Sequence, residues 1–121
     1  MREQPWFANQ VLEVLVNGPG PLDLLAAAAG IERDMGRTRA GEGERFGPRV
    51  IDLDLLLFGN EVRRTPELTL PHARMRERAF VLVPLADLAP GLALPDGESV
   101  AACLGRLDYR LEQGRIFQAA P

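Results

Sequence analysis

Ten residues, Arg49–Phe58 with the sequence RVIDLDLLLF, decide how the rest of the chain is read. The run is apolar enough for a buried strand and is interrupted only by Asp52 and Asp54. Side chains at i and i+2 of a strand share a face. Both carboxylates therefore project side by side, while Ile51, Leu53 and Leu55 turn the other way and supply core. Two anions on a largely buried strand are costly unless a cation or hydrogen bonds compensate them. Two compensations stay open. One is magnesium, held as in sites that clamp a transferring phosphoryl group. The other is arginine, paired with the aspartates at a strand edge.

Downstream of this run, Gly59-Asn60 is a turn signal, and residues 61–64 fit a short return strand. Residues 65–72, TPELTLPH, are extended, and 73–79 fit one or two helical turns. Residues 79–88, AFVLVPLADL, are helix-like, with Pro84 favouring two short pieces. Residues 89–91 end that segment, 94–97 (LPDG) form a turn, 98–107 a short helix and 114–118 a terminal strand. Upstream, residues 7–16 read as a strand ending at Asn17-Gly18. Residues 21–35 read as a helix opened by Pro21 and stopped by Gly36, with Leu22, Leu25, Ala26, Ala29 and Met35 on one face. Residues 36–48, GRTRAGEGERFGP, read as a polar glycine-rich loop. Short, interleaved strands and helices favour an α+β domain over a doubly wound sheet.

The chain has 121 residues, 46% of them hydrophobic and 26% charged, which suits one small soluble domain. No apolar stretch is long enough to span a bilayer, so no membrane partner and a cytoplasmic location are expected. Cys103 is the single cysteine, which excludes an internal disulfide and a cysteine-based zinc site. All 14 basic residues are arginine, which removes the P-loop lysine and lysine-based catalysis. A net charge of −3 argues against non-specific nucleic-acid binding. That charge is segregated. Residues 36–49 carry +2, residues 50–62 carry −3 and residues 63–79 carry +3. Carboxylates flanked by guanidinium-rich segments are the arrangement a magnesium-bound triphosphate needs, although solvated loops around a strand would give the same pattern.

Three further groups can carry chemistry. Arg37, Arg39, Arg45 and Arg49 lie in or beside the glycine-rich loop, where they could cover phosphates or be merely exposed. His72, the single histidine, follows Pro71 and precedes Arg74, Arg76 and Arg78; it suits donation to a phosphate oxygen or a structural role. Phe7, Asn9 and Phe80 could frame a flat heterocycle, the rings by stacking and the amide by reading a donor–acceptor edge. Taken singly, either ring also suits the core.

Taken in order, these pieces resemble the 6-hydroxymethyl-7,8-dihydropterin pyrophosphokinase family. The resemblance rests on QPWFANQV at 4–11, Glu32 followed by Gly36-Arg37, and RFGPRVIDLDLLLFG at 45–59. It continues through LPHARMRERAFVLVPL at 70–85, Ala89-Pro90 and PDG at 95–97. It implies a ferredoxin-like α+β fold with helices on a mixed or antiparallel sheet. It also implies transfer of a pyrophosphate from ATP to the pterin's hydroxymethyl group, releasing AMP. By the same resemblance, Asp52 and Asp54 would bind two magnesium ions. Asn9 would hydrogen-bond the pterin between Phe7 and Phe80, and Arg37, Arg49, His72 and Arg78 would contact phosphates. Glu32 and Thr69 would lie on the nucleotide side, with Arg39 and Phe46 also contacting ATP. The chain departs from the family pattern at Phe46 (often Trp), Ala40 (often basic) and Ala73 (often Tyr).

The family's opening strand–helix–strand has no counterpart in these residues. Met1 is accordingly expected to be an internal methionine of a longer protein, and the 121-residue chain to turn over little. Two other classes remain open: a non-catalytic α+β module that self-associates through exposed sheet edges, and a different magnesium-dependent phosphoryl- or nucleotidyl-transfer enzyme.

Overall fold

The best-packed part of the molecule lies between residues 68 and 105. A 3₁₀ turn at Met75–Glu77 leads into helix α2, Ala79–Leu88, and then helix α3, Val100–Gly105. Met75, Leu82, Leu85, Leu94, Val100 and Cys103 form one buried cluster between them. Helix α2 is a single helix, although Pro84 favours two pieces. Pro84 removes one N–H from the ladder, at a cost of roughly 3 kcal/mol. Burying Ala79, Leu82 and Leu85 on the same helix holds the segment together, since each large apolar side chain contributes about 1.5–3 kcal/mol when buried. Helix α3 falls within the expected 98–107 and is shorter at both ends; the Ser99 hydroxyl caps its start by accepting from the Ala102 N–H at 3.0 Å. The 94–97 turn is closed by Gly97 N–H to Leu94 C=O at 2.8 Å, with Gly97 in the left-handed region.

The computed structural model describes residues 2–3, 9–40 and 52–119. Helix α1, Pro21–Ala40, comes first among its helices and runs past the expected stop at Gly36. A glycine inside a helix costs only about 1 kcal/mol, which is not enough to end one. At its start, Asp23 reaches back to accept the Gly20 N–H at 2.9 Å, satisfying a donor at the cap position. The apolar face of α1 is only partly covered; Leu22, Ile31 and Met35 are exposed.

Strands β1 (Arg2–Glu3), β4 (Tyr109–Glu112) and β5 (Arg115–Gln118) form an antiparallel sheet in the order β1-β5-β4. Gln113 and Gly114, both at positive φ, make the two-residue turn between β4 and β5. Strands β2 (Arg63–Arg64) and β3 (Thr69–Leu70) form a separate antiparallel pair. The architecture is α+β.

Three expectations need correction. Residues 9–16 and 52–58, read above as parts of strands, form no ladder among the described residues. A strand exists only when a neighbour takes its N–H and C=O groups, and the alternation of side chains cannot supply that neighbour. The return strand after Gly59-Asn60 pairs with β3 rather than with the aspartate-bearing run. Leu53 and Leu55 are half-buried, whereas Leu56 and Leu57 pack against the main cluster. Position 51 lies outside the described residues.

Candidate functional site

Asp52 and Asp54 are both exposed, and the leucines between and after them are half-buried. The alternation expected of a strand is therefore present without a ladder. Two hydrogen bonds hold the backbone of this run instead. The carboxylate of Glu32, on α1, accepts the Leu53 N–H at 2.8 Å. The carbonyl of Leu56 accepts the His72 N–H at 2.8 Å. The first bond grips the peptide between the two aspartates. The second ties their segment to the one that carries His72, Arg78 and Phe80. Glu32 thus has a concrete role, because a carboxylate accepting a backbone N–H makes a strong, charge-assisted bond.

His72 is half-buried and follows the cis Leu70–Pro71 peptide. Its Nδ1 accepts the Arg74 N–H at 3.2 Å. That contact makes Nδ1 the acceptor nitrogen and leaves Nε2–H as the ring's donor. Arg78 sits at the junction between the 3₁₀ turn and α2, with its guanidinium over the Phe80 ring, 5.6 Å from the centroid. Cation–ring contact at that range orients both side chains. Thr69 is exposed on β3, and Asn9 is exposed near the start of the described chain.

The arginine-rich segment 63–79 divides by function. Arg63 pairs with Glu61 at 2.7 Å. Arg74 approaches Glu77 at 3.8 Å, and Arg76 bonds Glu98 at 2.6 Å and Asp96 at 3.1 Å. These pairs are structural, so the +3 of the segment overstates the charge it could offer to a ligand. Glu98 also bonds Arg106 and, at 3.3 Å, the Cys103 thiol. Arg106, then Arg76 and Cys103, hold the Glu98 carboxyl down at about 2 from an ordinary 4.5.

Of the residues singled out in the sequence, the fold links Glu32, Asp52, Asp54 and His72 through two backbone bonds, and sets Arg78 against Phe80. Arg37 and Arg39 fall near the end of α1. Phe7, Arg45, Phe46 and Arg49 lie outside the described residues. Among the described residues no group of three or more His, Cys, Asp or Glu side chains gathers as a metal cage. Magnesium does not need one. It keeps several waters and is commonly held by one or two carboxylates together with substrate phosphates. Two exposed, adjacent carboxylates fit that donor set. No helix among the described residues is long and apolar enough to cross a membrane.

Comparison with known proteins gives one family. Residues 1–90 match the model for 7,8-dihydro-6-hydroxymethylpterin-pyrophosphokinase. A 2-amino-4-hydroxy-6-hydroxymethyldihydropteridine pyrophosphokinase of Pseudomonas aeruginosa is 51% identical over 105 residues, which is 84% of this chain and 62% of the relative. One of the same name from Methylorubrum extorquens is 42% identical over 106 residues, 88% of this chain and 64% of the relative. The mitochondrial folate synthesis bifunctional protein of Pisum sativum is 47% identical over 100 residues, 83% of this chain and 18% of the relative. The chain thus spans under two thirds of the length of each of these relatives.

Proposed function

Because the chain belongs to the 7,8-dihydro-6-hydroxymethylpterin-pyrophosphokinase family, we propose that it serves pyrophosphoryl transfer from ATP to 6-hydroxymethyl-7,8-dihydropterin. In this reading the hydroxymethyl oxygen bonds to the β-phosphorus of ATP. The bond from that phosphorus to the α,β-bridging oxygen breaks, AMP leaves with the bridging oxygen, and the alcohol proton passes to solvent. The product is the pterin diphosphate, a precursor in folate synthesis. The whole chain is read as one pyrophosphokinase-like domain of ferredoxin-like type, acting in the cytoplasm.

One observation carries the proposal: a pair of exposed carboxylates, gripped through the peptide between them, in a run tied to the segment that bears a histidine donor and an arginine over an aromatic ring. Asp52 and Asp54 are the residues that would hold magnesium, two ions by the family resemblance, and the metal would neutralise phosphate charge. His72 presents Nε2–H to a phosphate oxygen. Arg78 offers a planar guanidinium that binds phosphate through two parallel bonds. Phe80 supplies an aromatic face for the pterin, with Phe7 opposite and Asn9 at the ring edge. By the family resemblance Arg37, Arg39, Phe46 and Arg49 would contact the nucleotide and its phosphates, and Glu32 and Thr69 would lie on the nucleotide side. No side-chain base is assigned, because alignment and charge neutralisation carry a loose phosphoryl-type transition state.

Calorimetric titration of the full chain with a non-hydrolysable ATP analogue and magnesium, and separately with the pterin, tests this reading. Both ligands should bind. Binding of the nucleotide with no pterin binding would favour a different magnesium-dependent transferase.

A second reading is supported by the exposed apolar run Leu12, Val14, Leu15 and Val16, with Leu15 at 93% exposure. Apolar residues open to water in such a run are suited to covering by a second copy of the chain. Under that reading the chain is a weak or inactive assembly module. Sedimentation mass would then rise with concentration, while calorimetry would detect neither ligand.

A further inference from the structure

Gln118 lies at the end of β5, beyond the residues matched by the family model, and carries none of the roles assigned above. It is the buried polar side chain among the described residues, at 8% exposure. Both ends of its amide are engaged. Oε1 accepts the Ala79 N–H at 2.8 Å, and Nε2 donates to the Glu77 carbonyl at 2.6 Å. Those two backbone groups flank Arg78.

The contact answers a need set by the local backbone. Ala79 is the first residue of α2, so its N–H has no partner within the helix. Arg78 occupies the cap position with an extended backbone and makes no side-chain cap bond. Gln118 provides the missing acceptor from a distant strand and fixes the preceding peptide at the same time. The strand itself is held on both sides, with Gln118 opposite Arg2 of β1 and Tyr109 of β4. The Ala119 N–H bonds the Asp108 carbonyl at 2.9 Å, closing the sheet just beyond it.

We propose that Gln118 is a positioning residue: it sets the direction of Arg78 and Phe80, and thereby the phosphate and pterin contacts made by α2. The inference rests on the functional reading given above. It assigns the C-terminal hairpin a part in ligand binding without contact with either ligand.

The test compares the full-length parent with Gln118→Leu, Gln118→Glu and Ile116→Ala. Gln118→Leu removes both bonds. Gln118→Glu keeps the acceptor for Ala79 and loses the donor to Glu77. Ile116→Ala weakens the same hairpin and leaves Gln118 in place. Amide exchange without ligand reads the clamp itself. Ala79 should exchange about tenfold faster in Gln118→Leu and at the parent rate in Gln118→Glu. Calorimetry reads the consequence. Gln118→Leu should weaken both the ATP analogue and the pterin by about tenfold, Gln118→Glu by less, and Ile116→Ala should match the parent. Should Gln118→Leu fail to fold, the partial loss in Gln118→Glu carries the test. Unchanged Ala79 exchange in Gln118→Leu, or parent affinities in both Gln118 variants, would overturn the proposal. Equal losses in Ile116→Ala would overturn it too, since they would mark a general effect of hairpin stability. A parent that binds neither ligand would overturn the functional reading and the ligand-binding half of the proposal. The Ala79 exchange result would still decide whether Gln118 acts as the clamp.

Discussion

The segment from Leu68 to Gly105 and the segments 9–36 and 52–58 are packed very differently. In the first, Met75, Leu82, Val100 and Cys103 are fully buried around α2 and α3. In the second, Leu12, Val14, Leu15 and Ile31 face water, and the backbone of the aspartate-bearing run is tied by one bond to the Glu32 carboxylate and one to the His72 N–H, with Leu56 and Leu57 reaching the core cluster. The candidate site spans the seam. Its carboxylates come from the thinly packed part, and its histidine, arginine and phenylalanine from the well-packed part. Stability and ligand binding should therefore respond to different residues.

The largest expected effect is on stability. Leu82→Ala should destabilise the chain by about 2–5 kcal/mol, while Leu15→Ala should change it by less than about 0.5 kcal/mol. Denaturant unfolding of both variants measures the contrast. Equal losses would mean that the exposed segment is packed as tightly as the core. Next comes the bond that joins the two segments of the thinly packed part, from the Leu53 N–H to Glu32. Glu32→Leu should weaken magnesium-dependent nucleotide binding by about 10–100-fold, as loss of a group supporting metal ligands generally does, while the unfolding midpoint moves little. An unchanged affinity in that variant would show that the Leu53 N–H does not need its acceptor.

The smallest effect concerns the ion-pair cluster at the far end of the packed region. Glu98 has its carboxyl held near 2 by Arg106, Arg76 and Cys103, against 4.5 unfolded. A depressed folded value means that the stabilising contribution is complete above about 4.5. It is lost as the pH falls from there toward about 2. The melting temperature should drop across that window, and Glu98→Gln should flatten the drop. An identical acid profile in that variant would remove Glu98 as the cause. Because the group is solvent-accessible, the effect should also shrink with added salt.

The contrast between the regions also explains what the sequence revealed. The start of α1 at Pro21, the short helix within 98–107 and the apolar pattern of α2 are local features, so they can be read from neighbouring residues. The alternation that puts Asp52 and Asp54 on the exposed side was legible for the same reason. Whether those residues join a ladder depends on a distant partner, and there local reading failed. The β4–β5 hairpin was half seen because its turn is Gln113-Gly114, without the Asn or Asp that usually announces such a turn. The bond from Glu32 to Leu53 crosses 21 residues, and the clamp from Gln118 to Ala79 crosses 39. No motif marks either. A glutamine on the same strand face as Ile116 was the faint signal for the second, since polar residues turned inward must find partners.

The central claim is that Asp52 and Asp54 form a magnesium-dependent nucleotide site on the exposed side of their run. Calorimetry of the ATP analogue with and without magnesium, in the parent and in Asp54→Ala, tests it most directly. The parent should bind only when magnesium is present, and Asp54→Ala should lose that magnesium-dependent binding while keeping the parent's unfolding midpoint. Parent-like, magnesium-dependent affinity in Asp54→Ala would contradict the claim.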